Sequence, residues 1–232
     1  MAGVITHMAI AREIIKLLPE GTIHDQGLFY LGNLAPDAIH AREGYIREYK
    51  KHTHFRDHIP DQEFEQEEHQ KAYRKRIVDF IADHKNRNDG LDDLYRGYVV
   101  HILSDEWFML TVRKEFCAVM SELGIAQTDP RFFDYIVTDM NRNDLLLVEQ
   151  YEEMNEIRQQ LEKISLQPVE DYLSYQEMKA SMDWMLQRHF YEEHELTPPK
   201  YISYERMTRY LTEAANYVVK RLSEKDSPIQ MW

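Results

Sequence analysis

The chain has 232 residues, of which 43% are hydrophobic, and this supports one large domain with a substantial core. We predict a single domain over residues 1–232. The 41 acidic residues outnumber the 28 basic ones and give a formal net charge of −13. This balance argues against a stable nucleic acid complex and against adhesion to anionic lipid, although it allows a compact basic site.

The same composition bears on compartment and membrane insertion. One cysteine, Cys117, cannot form an internal disulfide, and charged residues interrupt the first fifteen positions, where a signal peptide would be apolar. No apolar run reaches the eighteen or so residues of a membrane span, so we predict no transmembrane segment. We expect a soluble, cytoplasmic protein, and the composition leaves its oligomeric state open.

The N-terminal part contains one clear helix and one irregular segment. Residues 6–18 carry apolar side chains at spacings of three and four, with Thr6 as the expected N-cap and Pro19 and Gly21 as the stop. Residues 27–60 contain Gly-Asn and Ala-Pro-Asp sequences and several aromatic residues. These features predict a long functional loop with short helical turns between the first two long helices.

Helical periodicity dominates the rest of the chain, and alternation typical of strands is not found. We therefore predict an all-α fold, a single multi-helix bundle in which residues 91–120 form the central helix. The predicted helices after the loop cover residues 63–85, 91–120, 145–164, 169–190 and 203–222.

Two polar residues stand out in the apolar central segment GYVVHILSDEWF. His101 and Asp105 are four residues apart, so they share one helix face. Burial of an imidazole and a carboxylate costs several kcal/mol unless they are paired or bind a metal. The segment therefore requires polar partners from elsewhere in the chain.

Further metal-binding residue types occur near the N-terminus: His7 in the first helix, Asp37 after Ala-Pro, and His52 and His54 in KKHTHFRD. Each has a simpler explanation, as a structural helix residue, a turn or N-cap residue, or a solvated loop residue. Taken together with the central pair, they offer the imidazole and carboxylate ligands that zinc and similar first-row metals bind.

Four motifs in order, ITHMAIA, GNLAPDA, THFRDHIPD and LYRGYVVHILSD, resemble the zinc-dependent phospholipase C family. That family includes bacterial phosphatidylcholine-hydrolysing enzymes and a clostridial alpha-toxin, and is related to the single-strand-specific zinc nucleases. The resemblance covers roughly residues 4–108. It implies an all-α fold and metal ligands at His7, Asp37, His54, His101 and Asp105. His54 matches better than His52 because Phe-x-Asp follows it.

The sequence also departs from the family pattern. The secreted phospholipases begin at a tryptophan whose amino group and carbonyl bind zinc, whereas this chain begins Met-Ala-Gly-Val, so we expect one metal to lack a ligand. The family's HxxxE pair has a counterpart only at His189 and Glu193, much later in the chain, and their role as ligands stays open. The toxin's lipid-binding domain has no counterpart.

These residues predict a metal-dependent phosphoester hydrolase with one or two zinc ions, or other first-row divalent metals, that activate water. His54, His101, Asp37 and Asp105 would hold the first ion, and His7 with Asp105 a second. Asp37 is the predicted general base. Thr53 and Asp57 are expected either to orient the imidazoles or to make ordinary loop hydrogen bonds.

The expected substrate is a small-molecule phosphoester. One alternative is a nucleotide or nucleic-acid phosphodiesterase of the zinc nuclease type, and another is a non-catalytic structural or sensory metal site. Aromatic residues near the ligands are candidates for lining a substrate pocket or for ordinary packing: Tyr30, Tyr45, Tyr49, Phe55 and Trp107.

Overall fold

The computed structural model describes residues 2–85, 87–224 and 229–231, and helices make up most of this part of the chain. Within it no strand forms, apart from one isolated bridge between Val169 and Leu173. The predicted all-α multi-helix bundle is thereby confirmed. The helices are α1 (Val4–Leu17), α2 (Gln26–Ala38), α3 (Arg47–Thr53), α4 (Glu67–His84), α5 (Asp92–Leu110), α6 (Val112–Glu122), α7 (Pro130–Gln150), α8 (Met154–Lys163), α9 (Tyr175–Leu186) and α10 (Tyr204–Ser223).

Helix α5 lies at the centre, as its composition predicts. From Asp93 to Met109 every residue is buried except Arg96 and Trp107. A helix covered on all sides by other helices has no solvent face, so its apolar residues are not confined to one stripe. Polar residues on such a helix, including the pair at positions 101 and 105, must find their partners inside the protein.

The predicted long loop over residues 27–60 is wrong for its first part, because α2 occupies Gln26–Ala38 and is almost completely buried. Gly32 of the predicted loop and Gly97 of the predicted central helix both serve close helix packing. A Cβ atom at Gly32 would lie 2.0 Å from the Leu94 carbonyl oxygen, and one at Gly97 would lie 2.1 Å from that of Phe29. The backbones of α2 and α5 can approach this closely only because both positions lack a side chain.

The start of α1 also differs from the prediction. Gly3, not Thr6, is the N-cap, and it makes no side-chain capping bond. Asp144 of α7 provides the cap instead: its carboxylate accepts hydrogen bonds from the Ile5 and Thr6 amides at 3.1 and 3.0 Å and from the Thr6 hydroxyl at 2.8 Å. The cap is a long-range contact, so local sequence could not reveal it.

Two predicted helices are interrupted. The helix over residues 91–120 breaks at Thr111, whose hydroxyl donates to the Trp107 carbonyl at 2.7 Å. Such a bond competes with the backbone ladder and favours a bend. The helix over residues 145–164 is in fact the end of α7 and the whole of α8, with a break at residues 151–153 where the Tyr151 hydroxyl donates to Glu13 of α1.

No helix in residues 2–85, 87–224 and 229–231 is both long and apolar enough to cross a membrane. The cytoplasmic location stays a prediction.

Candidate metal centre

The structure brings the five predicted metal ligands together from four helical segments. His7 lies in α1, Asp37 in the last turn of α2 and His54 at the C-cap of α3, while His101 and Asp105 lie on α5. All three imidazoles and Asp105 are buried, and Asp37 is half-buried. Two sets of ligand atoms each lie within 4.8 Å of one another, one formed by His7, His101 and Asp105 and the other by Asp37, His54 and His101.

Main-chain carbonyls fix the protonation of two of the imidazoles. His101 Nδ1 lies 2.7 Å from the Asn33 carbonyl oxygen, and His54 Nδ1 lies 2.9 Å from that of Lys50. A carbonyl can only accept, so each Nδ1 donates and each Nε2 of a neutral ring keeps its lone pair. The two Nε2 atoms are 3.2 Å apart. Two lone pairs at this distance repel unless a cation or a proton lies between them.

His7 and Asp105 add further unsatisfied atoms. The His7 ring stacks on that of His101 with centroids 3.7 Å apart, and its Nε2 lies 3.4 Å from Asp105 Oδ1. Within the described part of the chain neither ring nitrogen of His7 forms a hydrogen bond, nor does Asp105 Oδ2. Buried polar atoms without partners are rare, and a role as metal ligands is one of the few explanations for several of them together.

Asp37 is held by a neighbouring lysine. Lys50 Nζ lies 2.5 Å from Asp37 Oδ1, and His54 Nε2 lies 3.3 Å from the same oxygen. Burial raises the pKa of Asp37, but the Lys50 ammonium and His54 outweigh it and hold this pKa well below its ordinary value. The carboxylate is therefore ionised at neutral pH.

His54, His101 and Asp105 also carry the charge state that metal binding requires. Burial lowers the pKa of His54, and burial together with the adjacent His7 lowers that of His101 well below its ordinary value. Burial raises the pKa of Asp105, but contacts with His7 and His101 outweigh it, and this pKa is lowered. Neutral imidazoles and ionised carboxylates are the forms that bind divalent metals.

The donor set could thus hold a metal ion. The free nitrogen of His101 belongs to both ligand groups and can bind only one ion. Asp105 is the residue suited to join two ions, since Oδ1 faces His7 while Oδ2 lies 3.6 Å from His54 Nε2. The sharing of Asp105 between two ions stays a prediction.

The cluster opens onto a cavity of about 630 Å³, within the usual size of small-molecule sites. Asp37, Lys50 and His54 line it. The rest of the wall combines apolar side chains with several cations and with the carboxylates of Asp61 and Asp144. The apolar lining includes Leu34, Met109, Phe133, Ile136, Val137, Met140 and Trp184, and the cations are Arg47, Lys51, Arg56 and Arg113. The cavity is therefore suited to an anionic ligand with an apolar part.

The structure separates the two histidines of KKHTHFRD. The His52 side chain is 53% exposed, and its Nδ1 lies 3.2 Å from Asp57 Oδ1. Asp57 thus contacts the exposed histidine rather than His54. The Thr53 hydroxyl donates to the Pro36 carbonyl at 2.9 Å and lies 3.1 Å from His54 Nδ1. It links the ends of α2 and α3, where two of the ligands lie.

The late HxxxE pair is also divided. His189 is buried in a π-helical turn and lines the cavity, and its Nδ1 lies 3.1 Å from the Met185 carbonyl. Glu193 is exposed and is not among the lining residues. Asp144, which caps α1, is one of the carboxylates that line the cavity together with His189.

Of the five aromatic residues considered for a pocket, Tyr45 lines the cavity. Tyr30 and Phe55 are buried in the core, Trp107 stacks on Tyr217 at 4.6 Å, and Tyr49 lies close to the Arg42 side chain. For these four the packing explanation holds.

The cations of the cavity and the carbonyl groups that orient the histidines were not predicted from the sequence. The basic residues were hidden by the strongly acidic composition of the whole chain, although REYKKHTHFR, residues 47–56, contains Arg47, Lys50, Lys51 and Arg56 against one acid. A charge count over short windows would have revealed this run. No local signal marks the Asn33 carbonyl, because it meets His101 only through the packing of α2 on α5.

Comparisons of the chain with protein-family models, with curated proteins and with solved structures found no match. The resemblance to phospholipases C therefore rests on the four sequence motifs and stays a prediction.

Proposed function

We propose that this protein is a metal-dependent phosphoester hydrolase resembling the zinc-dependent phospholipases C. The observation that supports it best is the cluster of three buried imidazoles, buried Asp105 and half-buried Asp37, which adjoins the cationic cavity. Among the described residues, several ligand atoms of this cluster lack hydrogen-bond partners. His7, Asp37, His54, His101 and Asp105 are the proposed ligands of one or two zinc-type ions. Such an ion, when bound, polarises a phosphoryl oxygen and makes a water molecule more acidic.

The chain's own groups supply positioning and proton transfer in this proposal. Lys50 is buried and lines the cavity, so its ammonium can contact phosphoryl oxygens. Asp37, kept ionised by Lys50, is the proposed acceptor of the proton from the attacking water. The same ion pair lowers the proton affinity of Asp37, so its role as base is best measured separately from its role as ligand.

Hydrolysis of bis(para-nitrophenyl) phosphate near neutral pH, with zinc or manganese added, tests the proposal. We expect metal-dependent turnover that Asp105→Asn abolishes, because Asp105 contacts both ligand groups. With Asp37→Asn, a large fall in kcat while the metal is retained would indicate proton transfer, whereas loss of both would indicate coordination alone. His52→Ala is the control and should keep full activity.

A metal-binding protein without turnover on phosphodiesters, phosphomonoesters or phospholipids would overturn the hydrolase proposal. It would favour the structural alternative, which the origin of the ligands in four different helical segments also fits. Turnover of nucleotide esters in preference to lipid substrates would favour the nuclease-like alternative.

A further inference from the structure

Three arginines of the cavity wall surround one carboxylate. Asp61 Oδ2 lies 2.5 Å from Arg47 Nη2 and 4.0 Å from Arg113 Nη2, and Asp61 Oδ1 lies 2.6 Å from Arg56 Nη2. Among the described residues no other carboxylate lies within ion-pair distance of these guanidinium groups. The group, here called the arginine cluster, consists of Arg47, Arg56, Arg113 and Asp61 and has an excess of two positive charges.

This excess charge is held in place and partly removed from water. Arg56 is only 7% exposed, its guanidinium lies 4.9 Å from the Phe64 ring centre, and its Nε has no hydrogen-bond partner in the part of the chain described. Arg113 lies over the Phe132 ring at 5.3 Å, and burial lowers its pKa. Uncompensated buried cations are costly, so a site of this kind gains free energy from an anionic ligand.

The arginine cluster and the histidine cluster open onto the same cavity. Its wall also carries exposed apolar side chains at Phe133 and Trp184, each 56% exposed, which can cover the apolar body of a ligand. A ligand whose scissile phosphate lies at Asp37 and His54 can therefore place a second group at the arginines.

We propose that the arginine cluster binds a second phosphate group of the substrate, so that the preferred substrate is a phosphoester with a further phosphate on its organic part. A phosphate monoester carries a charge of about −1.5 to −2 at neutral pH and three strong acceptor oxygens. This negative charge matches the two excess positive charges of the arginine cluster. A guanidinium group can also donate two parallel hydrogen bonds to two oxygens of one phosphate. The inference rests on the proposed function, because the scissile ester is assigned to the histidine cluster.

The kinetic test uses two esters that differ only in the second phosphate: the para-nitrophenyl ester of thymidine 5′-phosphate, and the same ester with an added 3′-phosphate. We expect kcat/KM to be at least about tenfold higher for the 3′-phosphorylated ester, the size of effect expected from charge-assisted hydrogen bonds. Arg47→Gln and Arg113→Gln should bring this ratio close to one. Because the test uses the ratio of the two kcat/KM values, a loss of activity that affects both esters equally does not change the result.

Arg209→Gln is the matched control, because Arg209 pairs with Glu213 and has 61% side-chain exposure, close to the 57% of Arg47, yet does not line the cavity. It should leave the ratio unchanged. Should Arg113→Gln fail to fold, as judged by circular dichroism, the exposed Arg47 still provides the test. An equal ratio in wild type and Arg47→Gln would overturn the proposal.

Binding measured by calorimetry on the protein as purified separates this proposal from hydrolysis. Thymidine 3′,5′-bisphosphate should bind at least about tenfold more tightly than thymidine 5′-phosphate, and Arg47→Gln should remove the difference. That result without any turnover would support the arginine cluster while the hydrolase proposal fails. Turnover of both esters at equal rates, with equal binding of the two nucleotides, would overturn the second-phosphate site and leave the hydrolase proposal standing.

Discussion

At the scale of single residues, main-chain carbonyls determine what the site can bind. His101 and His54 each direct Nδ1 to a carbonyl oxygen, at Asn33 and at Lys50, and so present Nε2 to the cluster. A metal-binding histidine is usually oriented in this way by a hydrogen bond from its other ring nitrogen. Because the acceptors belong to the backbone of α2 and α3, the orientation depends on helix positions rather than on side chains that a mutation could replace.

The first prediction compares two histidines two residues apart. Protein purified without chelator should contain at least about 0.5 metal ion per chain, and His54→Ala should reduce this content to near zero. The reason is that removal of a metal ligand lowers the affinity for the metal strongly. His52→Ala should retain the metal, since its side chain is exposed and contacts Asp57. Elemental analysis of both variants measures the difference. Full metal content in His54→Ala would remove this residue from the ligand set.

The second prediction concerns acid. Burial lowers the pKa of His54 and of His101 from the ordinary value of 6.5. Below about pH 6.5 the unfolded chain therefore takes up protons that the native state does not, and stability falls as pH falls towards the lower native values. At about pH 5.5 each histidine can contribute up to about 1.4 kcal/mol of destabilisation.

Urea unfolding at about pH 7.5 and about pH 5.5, with chelator present so that metal release does not contribute, measures this loss. His101→Gln should show a smaller fall between the two conditions than the wild type. Glu106, whose pKa is raised by burial, acts in the opposite direction but is common to both proteins, so the comparison cancels it. An identical fall in variant and wild type would contradict the assignment to His101.

At the scale of elements, the contact between α2 and α5 positions most of the site. It brings the Asn33 carbonyl to His101 and sets Asp37 beside the α5 ligands, and it depends on Gly32 and Gly97. The Thr53 hydroxyl at the end of α3 donates a hydrogen bond to the Pro36 carbonyl in the last turn of α2. This bond holds the end of α3 next to the end of α2. One helix pair and one short helix thus carry four of the five proposed ligands.

The third prediction follows from this close approach. Gly32→Ala should destabilise the protein by at least about 2 kcal/mol, because overpacking against backbone forces the helices apart. Gly27→Ala in the same helix is the control, since its Cβ would meet the flexible Ile164 side chain at 3.0 Å. Chemical denaturation should show a small effect for Gly27→Ala. A Gly32→Ala variant as stable as the wild type would contradict the packing explanation.

At the scale of the whole molecule, the proposed metal joins segments that are far apart in the chain. The ligands come from α1, α2, the end of α3 and α5, so a bound ion stabilises the native state relative to an unfolded chain in which these residues are separated. The long-range cap that Asp144 of α7 provides for α1 belongs to the same network, because it fixes the helix that carries His7.

The fourth prediction is a lower melting temperature after metal removal. Loss of about 2 to 4 kcal/mol of binding free energy should lower it by on the order of 5 to 15 °C in a protein of this size. Calorimetry before and after treatment with a chelator, with metal removal verified by elemental analysis, measures the change. Re-addition of zinc should restore the original value. An unchanged melting curve would place the metal at the periphery of the fold.

The sequence by itself determined the helical class, the burial of α5 and the identity of the residues that meet in the cluster. Helical periodicity is a local property and can be predicted without a structure. The His and Asp of an HxxxD pair on an apolar helix share one buried face, so their need for polar partners can also be predicted. The N-terminal motifs added His7, Asp37 and His54, and the structure places all three beside His101 and Asp105. Their role as ligands stays a prediction.

Tertiary structure decided what local patterns cannot express. Gly32 was predicted to lie in a loop, but α5 packs directly against it. Thr6 was the expected N-cap, but the carboxylate of Asp144 in α7 supplies the capping hydrogen bonds of α1. The acidic composition of the chain gave no sign of the cations that line the cavity. In each case the decisive partner is distant in sequence, and only folding brings it within the few ångströms over which packing and hydrogen bonds act. The same is true of the free nitrogens of His54 and His101, whose orientation depends on where α2 and α3 end.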